Sequence, residues 1–195
     1  MHKLNRRTYL LGGLFVLALT FLFALANWHW LRANVVTYGW DRLHHPITSL
    51  VYRDTLSQVT PRSLLAALAY SDYYPPLVHY GAVVLYRLFG VDEDVAPMVN
   101  VFYMVILLGA TFWVAARWRM QQLAGSITNA FTGTSVFWTG ALAAALLGLF
   151  PIVFAMSRYL YLDFALTALV ALDLALLLGS ERFARRWPSL GFGLV

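Results

Sequence analysis

The run YLLGGLFVLALTFLFALANWHW, residues 9–30, decides the class of fold. Its 22 residues include no Asp, Glu, Lys or Arg, and a helix of about 20 apolar residues is long enough to cross a bilayer. Basic residues in the segment 2–7 precede it. Residues 24–26 resemble a signal-peptide cleavage site, but the apolar run continues past them and further spans follow. We therefore expect a membrane-spanning helix.

The composition of the whole chain agrees with this expectation. The chain has 195 residues, 61% of them hydrophobic and 12% charged, and its mean hydropathy is +0.66. Soluble domains are about one quarter charged, so the balance indicates an integral membrane protein. The net charge of +5 comes from short basic clusters beside apolar segments, a pattern typical of membrane orientation and not of nucleic-acid binding. The absence of cysteine excludes disulfides and thiolate metal ligands.

Three further apolar runs predict spans at about residues 98–116, 136–156 and 160–178. The expected fold is therefore an all-α membrane protein with about four transmembrane helices and an outward loop at 31–97. The apolar segment 77–89 has thirteen residues, which is too short to span. We expect it to be a juxtamembrane helix that Gly90 ends, with a tilted span as the alternative.

The positive-inside rule favours this four-helix arrangement. It places the basic clusters 2–7, 117–119 and 182–186 together in the cytoplasm, with the N-terminus. The outward loop and the turn 158–163 then share the opposite face. Residues 189–195 resemble the first turns of another span, so we expect the chain to be the N-terminal part of a longer protein in the cell inner membrane.

The outward loop has a structure of its own. Short helical patches are expected at 47–58 and 61–70, because Pro61 suits the first turn of a helix. The segment 71–79 reads SDYYPPLVH. A Pro-Pro pair is excluded from a helix interior, and the residue before each proline favours extended geometry. We expect a rigid, extended, aromatic strap that leads from Tyr74, Pro75 and Pro76 into the following helix.

Three polar residues near the outward face could carry chemistry. Asp41 and Asp163 offer carboxylates, of which one could act as a general base. Arg158 could stabilise charge on a phosphate leaving group. Each has an ordinary alternative: Asp41 could cap a turn, water could solvate Asp163, and Arg158 could extend to lipid phosphates.

Other titratable residues leave further alternatives open. Asp173 lies ten residues beyond Asp163, near mid-membrane at 1.5 Å per residue, where a carboxylate needs a partner. His44, His45 and His79 could bind a divalent metal together with Asp41. Adjacent histidines rarely reach the same ion, so no residue is assigned to a metal and no cofactor is predicted.

Four motifs, in order, resemble the GT-C superfamily of membrane glycosyltransferases, which includes protein O-mannosyltransferases and lipid A aminoarabinose transferases. They are Trp40-Asp41 after the first span, Tyr74-Pro75-Pro76-Leu77 opening a helix that ends at Phe89-Gly90, Arg117-Trp118-Arg119, and Arg158-x4-Asp163. The resemblance covers essentially the whole chain. The chain departs from the family at two places. Arg42 follows Asp41, whereas many mannosyltransferases have a second acid there. Val78 and His79 follow Pro-Pro-Leu, whereas the family often has a basic residue two places after this motif.

The resemblance implies a glycosyltransferase that uses a polyprenyl-phosphate sugar and inverts the sugar configuration. Asp41 would be the catalytic base for an acceptor hydroxyl, Asp163 a second, supporting acid, and Arg158 the donor phosphate ligand. The substrate-positioning residues would be Tyr74, Pro75, Pro76, His79 and His45. The partners would be the lipid-linked sugar, membrane lipid and an acceptor of unspecified class, whether glycan, lipid or protein.

Two other functions remain open from the sequence. One is a non-catalytic membrane fragment or partner subunit that binds a lipid-linked sugar without transferring it. The other is part of a transporter, motivated by Asp173, although no internal repeat supports it.

Overall fold

A computed structural model describes residues 6–34, 40–70, 75–123 and 131–195, and every regular element in these ranges is helical. The elements are α1 Arg6–Ala33, α2 Trp40–Thr55, α3 Pro61–Ala69, α4 Leu77–Phe89, a 3₁₀ turn Ala96–Val99, α5 Asn100–Leu123, α6 Phe131–Leu149, α7 Pro151–Met156, α8 Leu162–Gly179 and α9 Arg186–Phe192.

Three of the described helices are long and apolar enough to cross a membrane: Arg6–Ala33, Ala96–Leu123 and Leu162–Gly179. Large apolar side chains cover their outer surfaces, as Leu14, Phe21 and Leu166 do, each about 60% or more exposed. Helices that stay apolar on their exposed sides are typical of membrane spans. The chain is a membrane protein, as its composition predicts.

Helix α5 is the centre of the bundle and packs against α1, α6 and α8. Its side chains Tyr103, Met104, Leu107 and Leu108 are buried in the main core. Glycines allow the close approach of neighbouring helices, because Gly12 on α1 and Gly140 on α6 both lie against Phe112.

The ends of the bundle differ in chemistry. At one end, the Arg117 guanidinium forms an ion pair with Glu181 at 3.3 Å, and Arg119 donates to the Ser135 hydroxyl at 3.0 Å. At the other end, Asn27 of α1 and Asn100 of α5 both donate to Ser157. The basic clusters of α1, α5 and the α8–α9 turn thus share the end opposite the turn 157–161.

The expected helices at 61–70 and 77–89 are confirmed. Thr60 and Ser63 form a capping box at the start of α3, with Pro61 in its first turn; each group satisfies a backbone N–H of that turn. Helix α4 ends at Gly90, whose φ of +89° is one that residues other than glycine rarely adopt.

Two expectations about helix boundaries are wrong. The predicted span 136–156 is not continuous, because Phe150 is extended and Pro151 begins the separate helix α7; a proline favours extended geometry in the residue before it. The predicted patch 47–58 is displaced: the helix α2 starts earlier, at Trp40, contains Pro46 and ends sooner, at Thr55.

The predicted extended strap is also wrong at Pro76. This residue has helical angles, φ −78° and ψ −6°, and directly precedes the first residue of α4. A proline fits there because the first N–H groups of a helix have no intrahelical partner. Pro75 is exposed and outside any helix, and Tyr74 lies outside the described residues.

The segment 189–195, expected to begin another span, falls largely within α9. This short helix starts earlier, at Arg186, and packs back against α8, where Gly191 faces Leu176.

Candidate functional site

A groove opens at the end of the bundle that carries the turn 157–161. It encloses about 110 Å³, and four segments from distant parts of the chain line it. Its lining residues are Trp30, Leu31, Asn34, Leu43, Pro46, Glu93, Asp94, Pro97, Arg158, Tyr159 and Leu160. The walls are largely apolar, with one cation and two carboxylates.

Arg158 is the cation of the groove, and protein contacts fix its guanidinium. Its Nε donates to Asn27 Oδ1 at 3.2 Å. Its central carbon lies 5.0 Å from the ring centroid of Trp30 and 4.0 Å from that of Phe154, within range of cation–π attraction. The described residues place no carboxylate within 4.0 Å of it, so this charge has no counter-ion there.

Burial lowers the pKa of the Arg158 guanidinium, because desolvation disfavours its charged form. An arginine still holds its proton at neutral pH. The partly desolvated charge is therefore a site where a bound anion would be favoured.

A buried polar network holds the turn that carries Arg158. Asn27 Nδ2 donates to Ser157 Oγ at 2.8 Å. Asn100 Nδ2 donates to the carbonyl oxygens of Ser157, at 3.2 Å, and Tyr159, at 2.6 Å. Neither Asn27 nor Asn100 is among the residues predicted from the sequence. The signal was present, since amides inside apolar runs are costly unless they have a role.

Two carboxylates at this end of the bundle, unlike Arg158, have an opposite charge as a partner. The Arg32 guanidinium lies 3.2 Å from both Asp92 and Asp94. These partners are partly exposed, so the ion pairs contribute little to stability, but they balance the charges on this rim. Glu93 is exposed to solvent at the same wall.

The structure brings the start of α2 to the same groove. Asp41 lies in the first turn of α2, and its side chain lies outside the described part of the chain. Leu43 and Pro46, farther along α2, line the groove with Arg158. Leu43 and Arg158 are 115 positions apart in sequence, and the fold brings them to one groove.

The structure does not bring Asp163 into the groove. Asp163 lies in the first turn of α8, is exposed and is not a lining residue. Its backbone carbonyl accepts from the Thr167 hydroxyl at 2.7 Å.

His45 and His79 form a buried pair between α2 and α4. His45 Nδ1 lies 3.2 Å from His79 Nε2, the residues are 3% and 1% exposed, and the His79 ring packs on that of Tyr52. Neither lines the groove. The described side chains contain no cluster of three or more His, Asp or Glu that could hold a metal ion.

Asp173 lies within α8, between Leu162 and Gly179. Its Oδ1 is buried and has no hydrogen-bond partner among the residues that the structure describes.

No known protein family, curated protein or solved structure matches this chain. The resemblance to GT-C transferases therefore depends on the four sequence motifs alone, and the function has to be argued from the groove.

Proposed function

We propose that this chain forms the site of a membrane glycosyltransferase that moves a sugar from a polyprenyl-phosphate donor to an acceptor hydroxyl. One observation supports this proposal above the others. Arg158, a cation without a carboxylate partner in the described chain, lines the same groove as the start of α2, which carries Asp41.

The proposal includes a four-span topology with the N-terminus in the cytoplasm of the cell inner membrane. The spans are α1, α5, α6 with α7, and α8. The arrangement of the ends supports it, because the basic clusters share one end and the groove lies at the other. Among the described elements, helix α4 packs mainly on α2 and on the turn Ala96–Val99, which suits a juxtamembrane helix.

The proposed chemistry is an in-line displacement at the anomeric carbon. The acceptor hydroxyl gives its proton to the Asp41 carboxylate while its oxygen forms the new bond to carbon. The bond between carbon and phosphate oxygen breaks, its electron pair stays with the lipid phosphate, and configuration inverts. Arg158 binds the phosphate and stabilises the charge that develops on it.

The apolar groove walls, which include Trp30, Leu43 and Leu160, suit the first isoprene units of the donor lipid. In this proposal Asp163, which is exposed outside the groove, supports an acceptor that arrives from water. No residue is assigned to a metal.

The test is transfer of radiolabelled sugar from polyprenyl-phosphate donors in membranes that carry this chain, beside a version extended through its native downstream sequence. Asp41→Asn is expected to lower the rate by about 10² or more, the usual size of a general-base contribution. Arg158→Ala should lower it comparably. Asp54→Asn is the matched control, because Asp54 is on the same helix and its side chain is 76% exposed.

Full activity of Asp41→Asn in a protein that transfers sugar would contradict the role of Asp41. The second candidate is a partner subunit that binds the lipid-linked sugar without transfer, which the position of Asp163 outside the groove favours. Donor binding without transfer by either version would support it.

A further inference from the structure

The contacts of Arg158 include a neutral amide at the position where a partly buried arginine would commonly have a carboxylate. We propose that Asn27 is a positioning residue that directs Arg158 into the groove and, because it is uncharged, leaves the guanidinium available for the phosphodiester of a lipid. The inference rests on the proposed function of the groove.

Both halves of the Asn27 amide are in use, and this fixes its orientation. Oδ1 accepts from Arg158 Nε, while Nδ2 donates to the Ser157 hydroxyl and, at 3.5 Å, to the Ser157 carbonyl oxygen. A flipped amide would place NH₂ against a donor of Arg158 and its oxygen against a carbonyl oxygen. The Ser157 hydroxyl already donates to the Phe154 carbonyl oxygen at 2.8 Å, so it stabilises the observed orientation.

The remaining donors of Arg158 are available. A guanidinium has five N–H donors, and Asn27 takes the one on Nε. Within the described residues, neither Nη1 nor Nη2 has a hydrogen-bond partner. Trp30 and Phe154 contact the guanidinium through their rings, which restrains its plane without using a donor. Two Nη groups held in a fixed plane match two oxygens of one phosphate.

The same end of the bundle shows the contrasting case. Arg32 is balanced by Asp92 and Asp94, both at 3.2 Å, whereas Arg158 receives an uncharged acceptor. A carboxylate at position 27 would retain an acceptor for Nε but would also neutralise the cation. An incoming phosphodiester would then meet a like charge close to its ligand, which costs affinity.

The experiment measures equilibrium binding of a fluorescent polyprenyl phosphodiester to the purified chain in neutral phosphatidylcholine nanodiscs. Asn27→Asp is expected to weaken binding about tenfold or more at pH 7. Asn27→Ala should weaken binding less, because it removes the acceptor of Nε without adding a charge. Inorganic phosphate as a competitor distinguishes a free-phosphate site from a lipid site.

Arg158→Ala and Asp54→Asn complete the set, and thermal unfolding of every variant identifies loss of fold. If Asn27→Asp does not fold, the comparison of Asn27→Ala with Asn27→Ser replaces it. Only the serine variant retains a hydrogen-bond acceptor at position 27. Equal weakening of donor binding in both variants would overturn the inference.

The outcomes separate the two proposals. If Asn27→Asp binds the donor with wild-type affinity at pH 7 while Arg158→Ala loses binding, only the proposed role of Asn27 would be overturned. Binding that is indifferent to Arg158 would overturn both proposals. If Asn27→Asp weakens donor binding while the wild-type protein transfers no sugar, the result would support the inference and count against glycosyl transfer.

Discussion

His45 and His79 are buried and pair across α2 and α4, and this pairing changes the interpretation of both residues. His45 and His79 were expected to position a substrate, yet their rings contact each other inside the α2–α4 interface. A ring nitrogen at 3.2 Å from another shares a hydrogen bond, with one ring as donor. The geometry makes their contribution to stability testable apart from any contact with substrate.

We expect His45→Ala to lower the free energy of unfolding by about 2 kcal/mol or more, because it leaves a cavity and removes a buried hydrogen-bond partner of His79. Unfolding in mixed detergent micelles measures this change. His29→Ala is the control, since His29 is exposed on α1 and its loss should change stability by less than about 0.5 kcal/mol. Equal stability of the two variants would contradict the buried pair.

At the scale of elements, the packing of α6 on α5 depends on the absence of a side chain at Gly140. A Cβ placed there would lie 2.8 Å from the Phe112 carbonyl oxygen and 2.9 Å from its ring. A backbone atom has little freedom to move, so the two helix axes would have to separate.

Gly140→Ala is therefore expected to destabilise the protein by about 1–3 kcal/mol, the usual cost of overpacking. Gly133→Ala on the same helix is the matched control, because nothing lies within 4 Å of a Cβ at that position. Alanine there should be neutral or stabilise by up to about 1 kcal/mol through helix propensity. The same detergent unfolding assay compares them, and a more stable Gly140→Ala would refute the close α5–α6 contact.

The α8–α9 turn is an element that sequence patterns do not anticipate. Glu181, Arg182 and Phe183 all have positive φ, between 51° and 65°, a conformation that costs residues other than glycine about 1–2 kcal/mol each. Long-range contacts compensate, because Glu181 pairs with Arg117 at 3.3 Å and with Arg185 at 2.5 Å. The Ser180 hydroxyl also accepts from the Phe183 N–H.

At the scale of the whole molecule, the question is which end of the bundle faces the cytoplasm. The basic end, with Arg117 and Arg119, is expected inside, and the groove outside. The chain contains no cysteine, so single cysteines can report the topology without background labelling.

We expect Ser57→Cys, between α2 and α3, to react with a membrane-impermeant maleimide in intact cells. Gln122→Cys, at the end of α5, should react only after permeabilisation. Both positions are exposed, so a difference in labelling reports sidedness and not burial. Labelling of both in intact cells would exclude the proposed four-span arrangement, as would a reversed pattern.

The sequence by itself determined the local elements. The apolar runs predicted the membrane class, Pro61 the start of α3, and Gly90 the end of α4. These features depend on nearby residues alone, through hydrophobic length, capping groups and the backbone limits of proline and glycine. Where two local signals competed, as at Pro46 within α2 or Pro151 in the predicted span, the boundary was predicted wrongly.

Only the tertiary structure decided the contacts that make the groove. Asn27 and Arg158 lie 131 residues apart in sequence and form a hydrogen bond, while Asp163, five residues beyond Arg158, is exposed outside the groove. Local pattern could not give this result, because membrane helices are apolar on both their lipid-facing and protein-facing sides. The faces that meet are chosen by glycine contacts and buried amides, which act only once the helices are packed together.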